Sequence, residues 1–241
     1  MELTRRGFIG VGTLATAGSV MGRPIRSSLG SLPLYGDEEK LPYDSEVEYL
    51  ESTGSQYIDT GVIAKSPCAI SCDFVWTALS DNALLMGAAN TSALSTKALY
   101  AIGQYPRGKW FIRFGNVYSS VSNTGDIRTG EMNSVIVVLE KNNVSRIVGG
   151  QTSVSLIGQA EQNVGLPFFL FAINRNGVDS FHSSARVYGL QMFSNGVLVR
   201  DMIPVRVTND LGGIEGCMYD RVSGELFRNE GSGMFIVGPD A

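Results

Sequence analysis

The strongest constraint on the fold is the alternation of apolar and polar residues in short runs. From position 68 to position 76 every second residue is apolar, and the residues between them are mostly small or polar. Successive side chains of a β-strand point to opposite faces. The pattern therefore predicts a strand with one face buried in a core. The residues on that face are Cys68, Ile70, Cys72, Phe74 and Trp76.

Runs of this kind recur along the chain, separated by turns rich in Asn, Asp and Gly. No window shows a 3.6-residue apolar stripe with capping residues, so helices are not expected. The sequence shows no convincing internal repeat, so a propeller or a solenoid is not expected. Many short strands at this spacing predict an all-β sandwich or barrel, and the run Leu166–Ile173 is apolar enough to be covered on both faces. The other strand candidates are Leu84–Ala88, Ala98–Ile102, Lys109–Phe114, Val135–Leu139, Val144–Val148, Ala185–Phe193 and Val197–Val205.

Sequence strings at the two ends of the strand-rich part stand out. Val47–Gly61 reads VEYLESTGSQYIDTG, which is two β-prone patches joined by a turn-forming stretch. Near the other end, Leu198–Pro204 reads LVRDMIP, and the segment that follows contains GCMYD, GELF and GSGMF. These strings mark where the domain begins and ends.

The two ends resemble LamG-like, concanavalin A-like domains of bacterial surface and phage-associated proteins. Those domains open with a string of the type YLESTGTQYIDTG and close with a similar C-terminal pattern. Here Cys217 and Met218 stand where Gly-Leu is usual, and Arg228 follows Phe227 where Tyr is usual. The resemblance implies an all-β, two-sheet antiparallel jelly-roll sandwich over residues 46–241, with its first and last strands close together. It implies a binding module without specifying a ligand.

The first 45 residues predict export. Residues 4–9 read TRRGFI, which resembles the twin-arginine export signal with Arg5 and Arg6 as its paired arginines. The apolar stretch that follows is too short for a membrane span, so residues 1–22 are predicted to be a signal segment that contacts the membrane only transiently. Residues 23–45 have the composition of a flexible linker. A periplasmic, cell-surface or extracellular location is expected, and a frayed N-terminal helix of a cytosolic protein is the alternative.

Composition excludes several classes of function. The formal net charge of -4 comes without a basic cluster, so nucleic acid is not expected as a partner. One histidine, three cysteines and no nucleotide-binding motif predict neither a metal nor a cofactor. Cys68 and Cys72 lie about 13 Å apart along one strand, too far for a disulfide. Buried free thiols are expected, and pairing of either cysteine with Cys217 stays open.

No catalytic residue is assigned. A retaining glycoside hydrolase needs two carboxylates about 5–5.5 Å apart, but Glu46 and Glu48 lie at the start of the domain, where a solvated edge is the favoured interpretation. Asp179, His182 and neighbouring serines are close in sequence, but a catalytic triad is defined by geometry. No Gly-x-Ser-x-Gly motif is present. His182 is therefore expected to have a hydrogen-bonding role in a loop.

The sequence predicts an exported, non-catalytic module that binds carbohydrate or another surface ligand, with a glycan or a cell-surface protein as its partner. Sugar sites commonly combine an aromatic platform with Asn, Asp and backbone groups. The candidate ligand-binding residues are Tyr105, Trp110, Tyr118, Asn174 and His182. Trp110 lies on an apolar strand face, which favours a place in the core over a role as a sugar-binding platform. A glycan-cleaving enzyme and a structural or assembly protein are the alternatives: a close carboxylate pair would favour the enzyme, and a flat apolar patch the structural protein.

Overall fold

The computed structural model describes residues 41–90, 99–115, 117–120, 126–139, 143–148, 151–156 and 163–241, with the backbone alone for 117–120, 143–148 and 151–156. The predicted signal segment, including Arg5 and Arg6, and most of the predicted linker lie outside these residues. The folded unit extends from Leu41 to Ala241. Its described residues form 19 strands and no helix, so the described part contains no helix suited to crossing a membrane.

The strands are short and follow one another closely, as the turn-rich sequence predicts. In chain order they are β1 (Ser45–Glu46), β2 (Leu50–Thr53), β3 (Ile58–Lys65), β4 (Cys68–Trp76), β5 (Ala83–Ala89), β6 (Leu99–Gln104), β7 (Trp110–Phe114), β8 (Val117–Ser120), β9 (Met132–Leu139), β10 (Asn143–Val148), β11 (Gln151–Leu156), β12 (Asn163–Leu170), β13 (Ile173–Arg175), β14 (Val178–Ser180), β15 (Ser184–Ser194), β16 (Val197–Thr208), β17 (Ile214–Asp220), β18 (Glu225–Phe227) and β19 (Ile236–Val237).

The strands form two sheets around a common core. Sheet I has the order β11-β10-β9-β4-β15-β16-β17-β18, and β1, β2 and β19 join it by pairing with β16, β15 and β2, respectively. Sheet II has the order β14-β13-β5-β6-β7-β8, and β12 pairs with both β3 and β5. Among the described strands only the pair β13–β5 is parallel. The predicted two-sheet antiparallel jelly-roll sandwich is confirmed, with this one parallel pair as an addition.

The core between the sheets contains the face predicted from the alternating run. All five apolar residues on that face of β4 are buried in the main apolar cluster. The ring of Phe74 meets Trp76 edge-on at 5.4 Å between ring centroids and Trp110 of sheet II edge-on at 5.9 Å. Such pairs contribute about 0.5–1.5 kcal/mol each beyond their burial. Phe74 therefore links the two sheets through Trp110.

The apolar run Leu166–Ile173 forms two strands rather than one. β12 and β13 are separated at Phe171, whose φ of 68° lies in the left-handed region. The run is covered on both faces, as predicted, because Phe168 packs in the core while Phe169 is buried on the opposite face. The break lets β12 pair with β5 antiparallel and β13 pair with it in parallel.

The two terminal sequence motifs contact each other, which confirms that the first and last strands are neighbours. β19 pairs with β2. The backbone N–H of Glu230 donates to the carbonyl oxygen of Tyr57 at 2.9 Å, and the Tyr57 N–H donates to Oδ1 of Asn229 at 3.2 Å. Gly231 lies so close to the opening turn that a Cβ there would be 2.2 Å from the carbonyl oxygen of Ser55. The two motifs therefore close the domain by packing on each other.

Arg200 and Asp220, which belong to the C-terminal motifs, bridge the two sheets. The Asp220 side chain is fully buried, and its Oδ2 lies 3.4 Å from Nη1 of Arg200. Nε of Arg200 donates to the carbonyl oxygen of Thr60 at 3.0 Å, and the guanidinium lies 5.0 Å from the ring centroid of Phe227. Because Thr60 belongs to β3 of sheet II and Asp220 to β17 of sheet I, Arg200 joins the sheets at one edge of the sandwich.

A smaller apolar cluster on the outer face of sheet I contains Cys217. Tyr43, which the sequence places in the linker, packs against this cluster with its ring 4.9 Å from that of Tyr219. Cys68 and Cys72 lie in the main core, on the other face of the sheet. All three cysteines are free and buried, which confirms the predicted state of the thiols. Burial raises the pKa of Cys68 to about 12 and that of Cys217 to about 11.

Candidate binding surface on sheet II

Sheet II carries apolar side chains on both of its faces. Along β5, β6, β7 and β13, residues of a second apolar cluster alternate with residues of the main core. This alternation places the second cluster on the outer face of sheet II, away from sheet I. A sheet that packs against one core needs only one apolar face. The residues of this second cluster are at most 5% exposed, so the outer face is itself buried, and a ligand can be contacted only by the exposed residues at its margin. The outer cluster consists of Leu84, Ala89, Leu99, Ala101, Phe111 and Ile173, with Phe181 packed against it.

The loop Phe181–Ser183, between β14 and β15, has an unusual backbone conformation. Phe181 has a φ of 53° and Phe171 a φ of 68°. The N–H of Ser183 donates to the carbonyl oxygen of Phe171 at 2.8 Å, and the N–H of Leu84 donates to that of Phe181 at 2.8 Å. A left-handed φ at a bulky residue costs roughly 1–3 kcal/mol, persists only where its surroundings enforce it, and is frequent at functional sites. This loop is therefore the first candidate for positioning a functional side chain.

The loop places His182, the only histidine in the chain, beside Asp179. Nε2 of His182 lies 3.0 Å from Oδ2 of Asp179, close enough for an ion pair if the imidazole is protonated. The geometry is not that of a hydrogen bond, and Nε2 has no hydrogen-bond partner among the described residues. The side chains keep 21% and 40% of their surface exposed. Nε2 is itself a buried atom, so a ligand at this surface can contact the exposed part of the imidazole ring but not Nε2.

Two aromatic rings complete this part of the surface. Tyr57 stacks on Phe169 with ring centroids 4.7 Å apart at 27°, and its centroid lies 6.0 Å from that of His182. Burial and then neighbouring carboxylates, Asp179 first, raise the pKa of Tyr57, so the phenol keeps its proton at neutral pH. The set Tyr57, Phe169, Asp179 and His182 is called the tyrosine–histidine corner below.

The acid, histidine and serine of this segment are not arranged as a catalytic triad. Asp179 approaches Nε2 of His182, while the hydroxyl of Ser183 is buried and donates to the carbonyl oxygen of Phe171 at 3.3 Å. The hydroxyl is therefore not offered to the imidazole, as nucleophilic catalysis requires. Over the described part of the chain, no group of three or more His, Cys, Asp or Glu side chains is arranged to hold a metal ion.

Tyr105 lies at the end of sheet II where the Phe181 loop joins β5. The N–H of Leu84, at the start of β5, donates to the carbonyl oxygen of Phe181, and the start of β5 pairs with the end of β6, immediately before Tyr105. The Tyr105 side chain is 45% exposed, and its ring meets Phe111 of the outer cluster edge-on at 6.1 Å. The structure therefore brings two of the predicted ligand residues, Tyr105 and His182, to one end of the sheet.

Two other predicted ligand residues are buried. Trp110 is 4% exposed and packs in the core. Nδ2 of Asn174 donates to the carbonyl oxygen of Pro167 at 3.1 Å, and its Oδ1 accepts from the N–H of Gly177 at 2.8 Å, which stabilises the β13–β14 turn. Neither side chain is exposed enough to form part of a binding surface. Tyr118 belongs to β8, and its side chain lies outside the described residues.

Sequence reasoning misses the partners of His182. Tyr57 reads as part of the opening motif and Phe169 as part of an apolar strand, so both are assigned to the fold. Asp179 is considered only as a triad member. Its position three residues before His182, outside a helix, is the one available signal, because contact with Tyr57 and Phe169 depends on tertiary structure.

Comparison with known proteins gives similarity to solved structures alone. Neither a protein-family model nor a curated protein matches the sequence. The CBM40 domain of the Ruminococcus gnavus IT-sialidase, bound to alpha2,3 sialyllactose, is 11% identical with a TM-score of 0.46, covering 62% of this chain and 89% of that chain. The full extracellular region of zebrafish Gpr126/Adgrg6 is 9% identical with a TM-score of 0.45, covering 77% of this chain and 26% of that one.

A NanB sialidase variant from Streptococcus pneumoniae is 11% identical with a TM-score of 0.44, covering 81% of this chain and 39% of that chain. All three identities are 11% or lower and all three TM-scores are below 0.5. The function of this chain therefore has to be argued from its own residues.

Proposed function

We propose that this domain is an exported, non-catalytic binding module that recognises carbohydrate through the tyrosine–histidine corner. The observation that carries the proposal is the strained Phe181–Ser183 loop, which holds His182 beside Asp179 and Tyr57. Polar groups that are fixed before the ligand arrives, next to apolar surface, are the usual components of a small-ligand site. Export is proposed from the TRRGFI leader alone.

The chemistry of the corner suits a sugar ring. Asp179 offers two acceptor oxygens, and the hydroxyl of Tyr57 can donate and accept. A pyranose presents hydroxyl groups around its edge and C–H groups on its faces, and aromatic rings provide apolar surface for such faces. Tyr57, stacked on Phe169, provides that surface.

A glycan array probed with the full-length chain tests the proposal, followed by calorimetric titration of each glycan that binds. Tyr57→Phe removes one hydroxyl, and a hydrogen bond is worth about 0.5–1.5 kcal/mol, so affinity should fall about two- to tenfold. His182→Ala removes the ring that lies beside Asp179 and Tyr57, and with it ligand contact surface, so it should weaken binding by about tenfold or more.

Tyr188→Phe on sheet I is the matched control, because Tyr188 is half-buried like Tyr57 and loses the same atom. The affinity of this control should equal that of the wild type, and thermal unfolding should show that all variants are folded. A folded wild-type chain that binds no glycan would refute the proposal. Release of reducing sugar during the titration would instead support the glycan-cleaving alternative.

A further inference from the structure

Carboxylates surround the tyrosine–histidine corner. Asp59 of β3 lies directly opposite Phe169 of β12 in the strand register, so the two side chains project from the same face of sheet II. Glu230 is exposed, and its backbone N–H donates to the carbonyl oxygen of Tyr57 at 2.9 Å. Asp179 is part of the corner itself. The site therefore combines three acidic side chains from three separate segments of the chain.

The electrostatic environment of Tyr57 agrees with this placement. After burial, the carboxylates of Asp179, Glu230 and Asp59, in that order, raise the pKa of Tyr57. Arg175 is a cation of the same sheet, and its guanidinium lies over the ring of Phe181, 5.1 Å from the centroid.

We propose that the corner selects uncharged sugars and rejects sugars that carry a carboxylate, an inference that rests on the carbohydrate-binding function proposed above. The carboxylates of Asp59 and Glu230 act on the same phenol as Asp179, so a ligand held by Asp179 is exposed to their charge, and repulsion between exposed charges extends over about 8 Å at physiological ionic strength. Like charges brought together at an interface weaken the complex and suppress wrong partners. A neutral sugar meets no such repulsion and can use the same carboxylates as hydrogen-bond acceptors.

Pairs of glycans that differ only in a terminal sialic acid or uronic acid test this selectivity. For each pair, affinities for the full-length chain are measured by calorimetry at low and at physiological ionic strength. We expect the neutral member to bind about tenfold more tightly at low salt, with a smaller difference at higher salt because the repulsion is screened.

Glu230→Gln separates charge from contact, because it removes one negative charge from an exposed side chain of the same length. It should reduce the ratio of neutral-sugar affinity to acidic-sugar affinity about two- to threefold, because one of the three repelling charges is gone. Glu225→Gln is the matched control, because it makes the same change of charge at an exposed site on β18 of sheet I. The control should leave the preference as it is.

The outcomes separate this inference from the proposed function. Equal or tighter binding of the acidic member, or a preference that Glu230→Gln does not reduce, would overturn the selectivity and leave carbohydrate binding intact. Binding of neither member of any pair would overturn the proposed function, and the selectivity with it. A preference for neutral glycans that Glu230→Gln reduces and Glu225→Gln leaves unchanged supports both the selectivity and the proposed function.

Discussion

Replacing Asp220 by alanine removes the carboxylate around which the C-terminal half of sheet I is organised. Oδ1 of Asp220 accepts from the backbone N–H of Asp201 at 2.8 Å and of Val222 at 3.2 Å. Oδ2 accepts from the N–H of Ser223 at 3.2 Å and from its hydroxyl at 2.7 Å. The same carboxylate is the ion-pair partner of Arg200, which joins sheet I to sheet II. The substitution therefore disturbs both the turn after β17 and the edge of the sandwich.

The expected loss of stability follows from these partners. Removing one member of a buried ion pair costs about 3–5 kcal/mol, because the other charge remains buried without compensation. Arg200 is partly exposed, with 20% of its side-chain surface accessible, and it keeps its bond to Thr60, which favours the lower half of that range, about 3–4 kcal/mol. For a domain of this size each kcal/mol lowers Tm by about 2–4 °C, so Asp220→Ala should lower Tm by roughly 6–16 °C.

Urea unfolding followed by intrinsic fluorescence measures this loss directly, because both tryptophans, Trp76 and Trp110, lie in the core. Asp240→Ala is the matched control, since Asp240 forms an ion pair with Arg206 but is 62% exposed. Exposed ion pairs contribute about 0–1 kcal/mol, so the midpoint of the control should barely move. A loss below about 1 kcal/mol for Asp220→Ala would contradict the role of this buried pair.

Three further predictions address the closure of the domain, its thiols and its leader. Gly231→Ala should lower the free energy of unfolding by about 1–3 kcal/mol, because the new Cβ meets the carbonyl oxygen of Ser55. Gly189→Ala is the control: its Cβ would have only an ordinary contact at 3.8 Å, so the unfolding midpoint should be nearly unchanged. In the native state the three cysteines should not react with a thiol reagent at pH 8, because they are buried and burial raises their pKa further above that pH. All three should react in urea, and reaction in the native state would contradict their burial. Replacing both Arg5 and Arg6 by lysine should retain the protein in the cytoplasm in a fractionation assay, and unchanged export would exclude a twin-arginine leader.

The strands and their buried faces could be predicted because each depends on local pattern. The alternation from Cys68 to Trp76 reports which side chains face the core, and a strand keeps that alternation whatever its neighbours are. The terminal motifs were informative for the same reason, since turns with a left-handed backbone favour glycine, as at Gly54 and Gly233. These features are encoded within about ten residues of sequence each.

The candidate site could not be predicted in full because it depends on contacts between distant segments. The left-handed φ values at Phe171 and Phe181 have no sequence signal, since aromatic residues are not expected there. The stacking of Tyr57 on Phe169 joins positions more than 100 residues apart. Of the predicted ligand residues, Trp110 illustrates the converse case: its residue type suits a sugar platform, but its strand face places it in the core.

The single histidine provides the most direct test of the central claim that carbohydrate binds at the tyrosine–histidine corner. Because His182 is the only histidine in the chain, its imidazole gives a single set of NMR signals that needs no assignment. In an untagged, uniformly labelled chain, these signals should shift during titration with a glycan that the array identifies, and should saturate with the Kd obtained by calorimetry. Calorimetric binding that leaves the imidazole signals unchanged would contradict the account and place the ligand elsewhere on the domain.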